Sequence, residues 1–138
     1  MINKDECQNL NTEIISVQNE AFRNPYFRKE IWTGEYAQAT VMSVARGGEV
    51  GMEIHENQDQ IFFVVQGIAT VYAGRTKQGV RLIGNAMPGS MVAVPSGTWH
   101  NLVNDRNCPL KLISVYAPPA HEPDTLHKTK FDSDLDEH

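Results

Sequence analysis

The chain has 138 residues, of which 41% are hydrophobic and 21% charged, and its formal net charge is -5. This length fits one domain with a single core, and the composition is that of ordinary globular domains rather than of disordered chains. The acidic balance argues against a nucleic-acid partner, because a nucleic-acid-binding surface needs clustered lysine and arginine.

The N-terminal part of the chain is polar. Residues 1–20 lack the basic start and apolar stretch of a secretory signal, so we expect a cytoplasmic protein. Sparse apolar positions within residues 3–22 predict a short helix or an outer strand. Asn24 and Pro25 then interrupt the chain before residues 28–32, which predict an extra strand. Residues 12–37 are therefore interpreted as an N-terminal strand extension.

The central part of the chain consists of short strand-like runs separated by turn residues, a pattern typical of an all-β protein. Six short runs are rich in β-branched and aromatic residues, and each ends at Gly, Pro, Asn or Asp: residues 40–45, 61–65, 68–72, 80–83, 91–94 and 110–116. No helical pattern separates them, so they predict a sandwich or barrel rather than βαβ units. The longest apolar run, residues 61–65, is far too short to span a bilayer, and we expect no membrane partner.

The C-terminal part is rich in proline and then strongly charged. Residues 118–131 contain His121 and His127 and predict an extended arm lying on the barrel. Residues 132–138 are charged and predict a mobile terminus. The two cysteines, Cys7 and Cys108, are too few for a disulfide scaffold and are expected to be reduced.

Four side chains that can bind a metal lie in two short motifs: Glu53, His55, Gln60 and His100. Glu53 and His55 are two positions apart, so on a strand they project from the same face. Gln60 follows the polar residues 56–59, which can turn the chain and return Gln60 on the neighbouring strand. One carboxylate, two imidazoles and one amide then converge, a set suited to divalent iron, manganese, nickel, copper or zinc.

The spacing of these residues resembles the two sequence motifs of the cupin superfamily. The first motif is matched in spacing by Gly47, Glu53, His55, Gln60 and Gly67. The second is matched at every position by Gly89, Pro95, Gly97, His100 and Asn104. Two residues depart from the family pattern, because Glu53 replaces a histidine and Gln60 replaces a glutamate. The resemblance covers residues 38–118 and implies a double-stranded β-helix, the jelly-roll cupin barrel, in a single domain over residues 1–138.

The resemblance also implies a mononuclear divalent metal, held by His55, His100, Glu53 and either Gln60 or water. Such a centre would serve an enzyme acting on a small organic molecule, of the dioxygenase or of the isomerase or epimerase type, with Glu53 as the candidate catalytic group. Two alternatives stay open: a non-enzymatic small-molecule or metal-binding module, and a structural oligomer with a vestigial pocket. Residues 28–45 supply strands beyond the motif core, so we expect a homodimer built from these N-terminal edge strands, with Trp32 and Tyr36 available for burial. The resemblance implies the same, because small cupins are commonly dimeric.

Strand parity predicts the wall of the metal pocket. Phe62 and Val64 share parity with Gln60, and Leu102 shares parity with His100, so we expect these three to give an apolar pocket lining. Core packing is the alternative for the same residues. The arm is expected to pack on its own barrel and help to close the pocket, with His127 nearer to the metal than His121.

Overall fold

The computed structural model describes residues 11–136, which fold into two antiparallel sheets with a short helix near each end. The elements are α1 (Val17–Arg23), β1 (Arg28–Thr33), β2 (Gln38–Val44), β3 (Asp59–Gln66), β4 (Ala69–Gly74), β5 (Arg81–Ala86), β6 (Met91–Val94), β7 (Trp99–Val103), β8 (Leu110–Ala117), β9 (Leu126–His127) and α2 (Lys130–Asp136). Within residues 11–136, neither helix is long or apolar enough to cross a membrane.

The two sheets differ in size. The larger has six strands in the order β6-β3-β8-β2-β1-β9, and the smaller has three in the order β5-β4-β7. Pairs distant in sequence, such as β2 with β8, run antiparallel along their whole length. This arrangement leaves short strands at the edges, which limits the exposed hydrogen-bonding groups of the larger sheet. It also places β3 and β7, the strands that carry Gln60 and His100, in opposing sheets.

The core between the sheets follows the two-residue period of the strands. On β3, Gln60, Phe62 and Val64 are buried, whereas Asp59 and Phe63 are exposed. The inward residues join the corresponding side chains of the facing strands in one apolar cluster. Phe62 is completely buried, and burial of such a side chain contributes about 1.5–3 kcal/mol. The core therefore contributes to the stability of the barrel.

The outer face of the larger sheet is covered by α1. Ala21 of α1 is fully buried and packs with Val41 of β2 and Ile113 of β8 in a second, smaller cluster. The short helix allowed for residues 3–22 is thus present over Val17–Arg23, and residues 1–10 lie outside the described part of the chain.

The prediction of a mobile C-terminus is wrong over residues 132–136, which belong to α2. Several contacts hold this helix. The Thr129 hydroxyl accepts a hydrogen bond from the amide of Asp132, Lys130 pairs with Asp134, and Arg28 donates to the buried Ser133 hydroxyl at 2.6 Å. The sequence of residues 132–136 could not indicate this helix, because Arg28, which holds it through Ser133, lies far away in sequence on β1. Residues 137 and 138 lie outside the described residues.

Candidate metal centre

The backbone brings the two motifs together through a pair of hydrogen bonds. The amide of Glu53 donates to the carbonyl of His100 at 3.0 Å, and the amide of His100 donates to the carbonyl of Glu53 at 2.9 Å. This is an isolated β-bridge, so the expectation of a regular strand through Glu53 and His55 is wrong. A further hydrogen bond joins the amide of Gly97 to the carbonyl of His55 at 2.8 Å. Gly97 has a φ of 73°, a conformation that glycine adopts without strain.

The polar atoms of four predicted residues converge at this bridge. Oε1 of Glu53 lies 3.2 Å from Nε2 of His55 and 3.5 Å from Nε2 of His100. One ligand atom from each of these three residues lies within 4.8 Å of the other two. Oε1 of Gln60 lies 3.1 Å from Nε2 of His100. His100 and Gln60 are buried, whereas the Glu53 and His55 side chains remain 16% and 17% exposed.

Hydrogen bonds around the cluster fix which atoms face its centre. Nδ1 of His100 lies 3.0 Å from the carbonyl of Thr98, which only accepts, so Nδ1 carries the proton and Nε2 of the neutral ring presents a lone pair. The amide nitrogen of Gln60 donates to the hydroxyl of Ser114 at 2.9 Å, which turns Oε1 of Gln60 toward His100. The lone pair on Nε2 of His100 therefore faces Oε1 of Gln60 and Oε1 of Glu53.

Two atoms of the cluster face each other without a regular hydrogen bond. Oε1 of Glu53 and Nε2 of His55 are buried and lie 3.2 Å apart, and neither makes a hydrogen bond of regular geometry to another described residue. Leaving such atoms unpaired costs about 1–3 kcal/mol each. A divalent cation would satisfy both of them together with the lone pair of His100. The donor set thus fits a metal ion, and His55, His100 and Glu53 are the residues that can hold it.

The electrostatics of Glu53 agree with a ligand role. Burial alone would raise the pKa of the Glu53 carboxyl, but positive charge and hydrogen-bond donation at the point where His100 and His55 approach it outweigh burial and lower this pKa well below its ordinary value. Glu53 is therefore a carboxylate at neutral pH, the form that binds a cation.

An open cavity of about 1010 Å³ leads from Glu53 and His55 to solvent. Its other walls come from the loop after β1, the segment before β3, the arm and α2, and they are mostly polar. The predicted lining by Phe62, Val64 and Leu102 is corrected here, because all three lie in the packed core and not along the cavity. Their side chains point into the barrel as expected, but the barrel interior around them is filled by other core side chains. The ring of Phe62 approaches the centre, with its centroid 6.2 Å from that of the His100 ring.

A row of aromatic rings extends from the centre into the arm. The rings pack edge-to-face in sequence: the ring centroids of His55 and Tyr116 are 5.7 Å apart, those of Tyr116 and His121 5.1 Å, and those of His121 and His127 5.8 Å. The arm lies on its own barrel, since β9 pairs with β1. The expectation that His127 is nearer to the centre than His121 is wrong, because the β9 pairing places His127 one ring farther out.

His127 has a structural environment of its own. Its Nδ1 lies 3.0 Å from Nη1 of the buried Arg28, and its Nε2 lies 2.8 Å from Oδ2 of Asp136. The hydrogen bond with His127 lowers the pKa of Asp136. Neither Arg28 nor Tyr116 was singled out from the sequence. No local pattern could have found them, because they reach the site only through strand pairing.

The chain matches the cupin domain family over residues 40–116, which is more than half of its length. The chain belongs to this family. The all-β jelly-roll fold predicted from the motifs is thereby confirmed.

Two relatives and one crystal structure extend the comparison. Protein YrkC of Bacillus subtilis is 41% identical over 120 residues, which are 87% of this chain and 64% of YrkC, so the chain spans just under two thirds of that relative. Protein L612 of Acanthamoeba polyphaga mimivirus is 32% identical over 111 residues, 80% of this chain and 68% of L612. The crystal structure of BH2720 from Bacillus halodurans has 35% sequence identity and a TM-score of 0.89, covering 92% of this chain and 96% of BH2720.

Proposed function

We propose that this cupin is a mononuclear divalent-metal protein in which His55, His100 and Glu53 hold the ion and Gln60 contributes directly or through water. The observation that carries the proposal is the convergence of the three ligand atoms within 4.8 Å of one another, two of them buried without a regular hydrogen bond. Two imidazoles and one carboxylate suit iron, manganese, nickel, copper or zinc.

The proposed activity is that of an enzyme acting on a small organic molecule, of the dioxygenase or of the isomerase or epimerase type. A bound metal would supply either redox chemistry or polarisation of a substrate oxygen. The residues of the chain contribute the rest: His100 and His55 direct Nε2 toward the centre, and the cavity gives a small molecule access to it.

A second candidate is a non-enzymatic small-molecule or metal-binding module. The position of Glu53 between the two imidazoles favours this candidate, because a carboxylate that binds a cation is not free to act as a general base. Glu53 is thus better suited to holding a cation than to transferring protons, and fold alone does not decide between the two functions.

Assembly and location are also proposals. We expect a homodimer, supported by exposed apolar side chains on the described surface, among them Tyr36 at 76% and Met91 at 57%. A cytoplasmic location is supported by Cys108, a free and exposed thiol that suits a reducing compartment.

Elemental analysis of protein purified without an affinity tag tests the metal proposal. We expect stoichiometric metal in the wild type and near-zero metal in the His55→Ala, His100→Ala double variant, with unchanged far-ultraviolet circular dichroism. His127→Gln is the matched control, because it removes a buried imidazole outside the cluster and should keep the metal. Stoichiometric metal in the double variant would show that the proposed ligands are wrong.

The identity of the metal then directs the activity assay. A redox-active metal calls for measurement of oxygen uptake, and a redox-inactive one for isomer exchange followed by NMR. Binding without turnover in both assays would favour the second candidate.

A further inference from the structure

The outer face of the larger sheet carries a row of apolar side chains that crosses four strands. Strand pairing aligns one residue from each strand: Met91 of β6, Phe63 of β3, Ile113 of β8 and Val41 of β2. Val41 is completely buried and Ile113 is 8% exposed where Ala21 of α1 packs on them. Phe63 and Met91 lie at the other end of the row and are 38% and 57% exposed. The helix therefore covers only half of the row.

A second pair of residues extends the uncovered area along β3 and β6. Ile61 lies opposite Ala93, and both are two positions from the Phe63–Met91 pair, so the four side chains share one face. We call these four residues the β3–β6 patch, and none of them is charged. A strand that is apolar on both faces, as β3 is over residues 61–65, is typical of strands covered on both sides. The sequence of β3 thus indicates a covering layer that a single copy of the chain does not supply.

Charge restricts what can cover this patch. Each copy of the chain has a formal net charge of -5, so two copies repel one another in most orientations. At the β3–β6 patch they can meet without opposing like charges at the centre of the contact. The expected N-terminal edge is not free in the same way, because β9 pairs with the side of β1 that faces away from β2.

The size of the patch fits the apolar centre of a small interface. The turn of residues 87–90 hydrogen-bonds to Val64, next to Phe63, and carries Met87, which is 50% exposed. If a large side chain presents about 200 Å² when fully exposed, then Phe63, Met87 and Met91 together expose roughly 300 Å². A standard interface takes about 800 Å² from each partner, of which somewhat more than half is apolar. These residues therefore supply most of the apolar area that such a contact needs.

We propose that the β3–β6 patch binds the same patch of a second copy of this chain, so that Phe63 packs on the partner's Met91 and Met91 on the partner's Phe63. The inference rests on the homodimer proposed above and assigns its surface. A two-fold axis through the patch makes the contact self-complementary, because each pair of residues then meets twice. Contacts of a methionine sulfur with an aromatic ring add to the burial of apolar surface. None of the four patch residues lines the cavity, so association leaves access to the metal centre open.

Sedimentation equilibrium of the full chain over a range of concentrations tests the proposal. Met91→Glu places a charge at an exposed position of an edge strand, which the single copy should tolerate. Each dimer would then bring two like charges into an apolar contact, so the dissociation constant should rise about hundredfold. Met91→Lys should have the same effect. An equimolar mixture of the two variants should recover association, because opposite charges then face each other.

Tyr36→Glu is the matched control, since it adds the same charge at a large side chain that is 76% exposed outside the patch, and it should remain dimeric. Ala93→Glu repeats the test at a second exposed position of the patch, so a folding defect in one variant does not decide the outcome. Circular dichroism and metal content of the same samples should be unchanged.

The outcomes separate the surface from the homodimer. A wild type that is monomeric at every concentration would overturn the homodimer and this inference together. Three results would overturn the assigned surface alone: dimeric Met91→Glu and Ala93→Glu variants, a dimer that Tyr36→Glu dissociates, or a mixture of Met91→Glu and Met91→Lys that stays monomeric. Metal content reports separately on the proposed metal site, whichever way the association result falls.

Discussion

Replacement of His121 by phenylalanine should change how protein stability depends on pH. Burial disfavours the charged imidazolium, and the nearby positive charge of Arg28 disfavours it further, so the pKa of His121 falls from 6.5 to about 4. In the unfolded chain the ring regains its ordinary pKa. Between these two values the unfolded state binds more protons than the folded state, so stability is lost as the pH falls from about 6.5 toward about 4.

The size of the effect follows from the two pKa values. Each unit of pKa corresponds to about 1.4 kcal/mol, so a fall from 6.5 to about 4 gives about 3 kcal/mol as an upper value, because the ring is not fully buried. Phenylalanine keeps the edge-to-face contact with Tyr116 and does not titrate. The variant should therefore lose less stability than the wild type on acidification, by up to about 3 kcal/mol.

Urea denaturation of both proteins, with a chelator present, at about pH 7 and about pH 4.5 gives the required free energies. Carboxylates titrate in both proteins, so their contribution cancels in the difference between wild type and variant. Parallel loss of stability in the two proteins over this pH range would refute the assignment of the effect to His121.

Three further measurements test the framework around the site and the assembly of the protein. Gln38→Met should lower the free energy of unfolding by about 2–4 kcal/mol in urea titration, since it removes the buried hydrogen-bond partner of the Ala120 and His121 amides. Unchanged stability would show that the Gln38 side chain does not hold this part of the arm. Phe62→Ala should cost about 3–5 kcal/mol in thermal denaturation and yet retain metal, and metal loss in the folded variant would give Phe62 a role beyond packing. Light scattering at micromolar concentration should report a dimer, and a monomer would disprove the proposed assembly.

The sequence predicted the parts of this molecule that depend on local patterns. Alternation along residues 61–65 correctly indicated that Phe62 and Val64 point inward, because the two-residue period of a strand is a local property. The spacing of the cupin motifs indicated which polar residues to examine, and the structure places Glu53, His55, Gln60 and His100 around one point.

The wall of the cavity could not be predicted in this way. His121 and Gln38 are separated by 83 positions in sequence, and only the folded arm brings them together. The pairing of β9 with β1 places His121 nearer than His127 to the metal centre. Nothing in residues 118–131 alone distinguishes the two histidines. The apolar lining was predicted from parity, which gives the face of a side chain but not its depth in the barrel.

The central claim is that His55, His100 and Glu53 hold one divalent metal ion. Anomalous diffraction from a crystal of the protein loaded with Zn²⁺ tests it most directly. The account predicts a single strong peak among Nε2 of His55, Nε2 of His100 and a carboxylate oxygen of Glu53, at about 2.0–2.2 Å from each. A peak elsewhere in the molecule, or no peak at this cluster at full metal loading, would contradict the account.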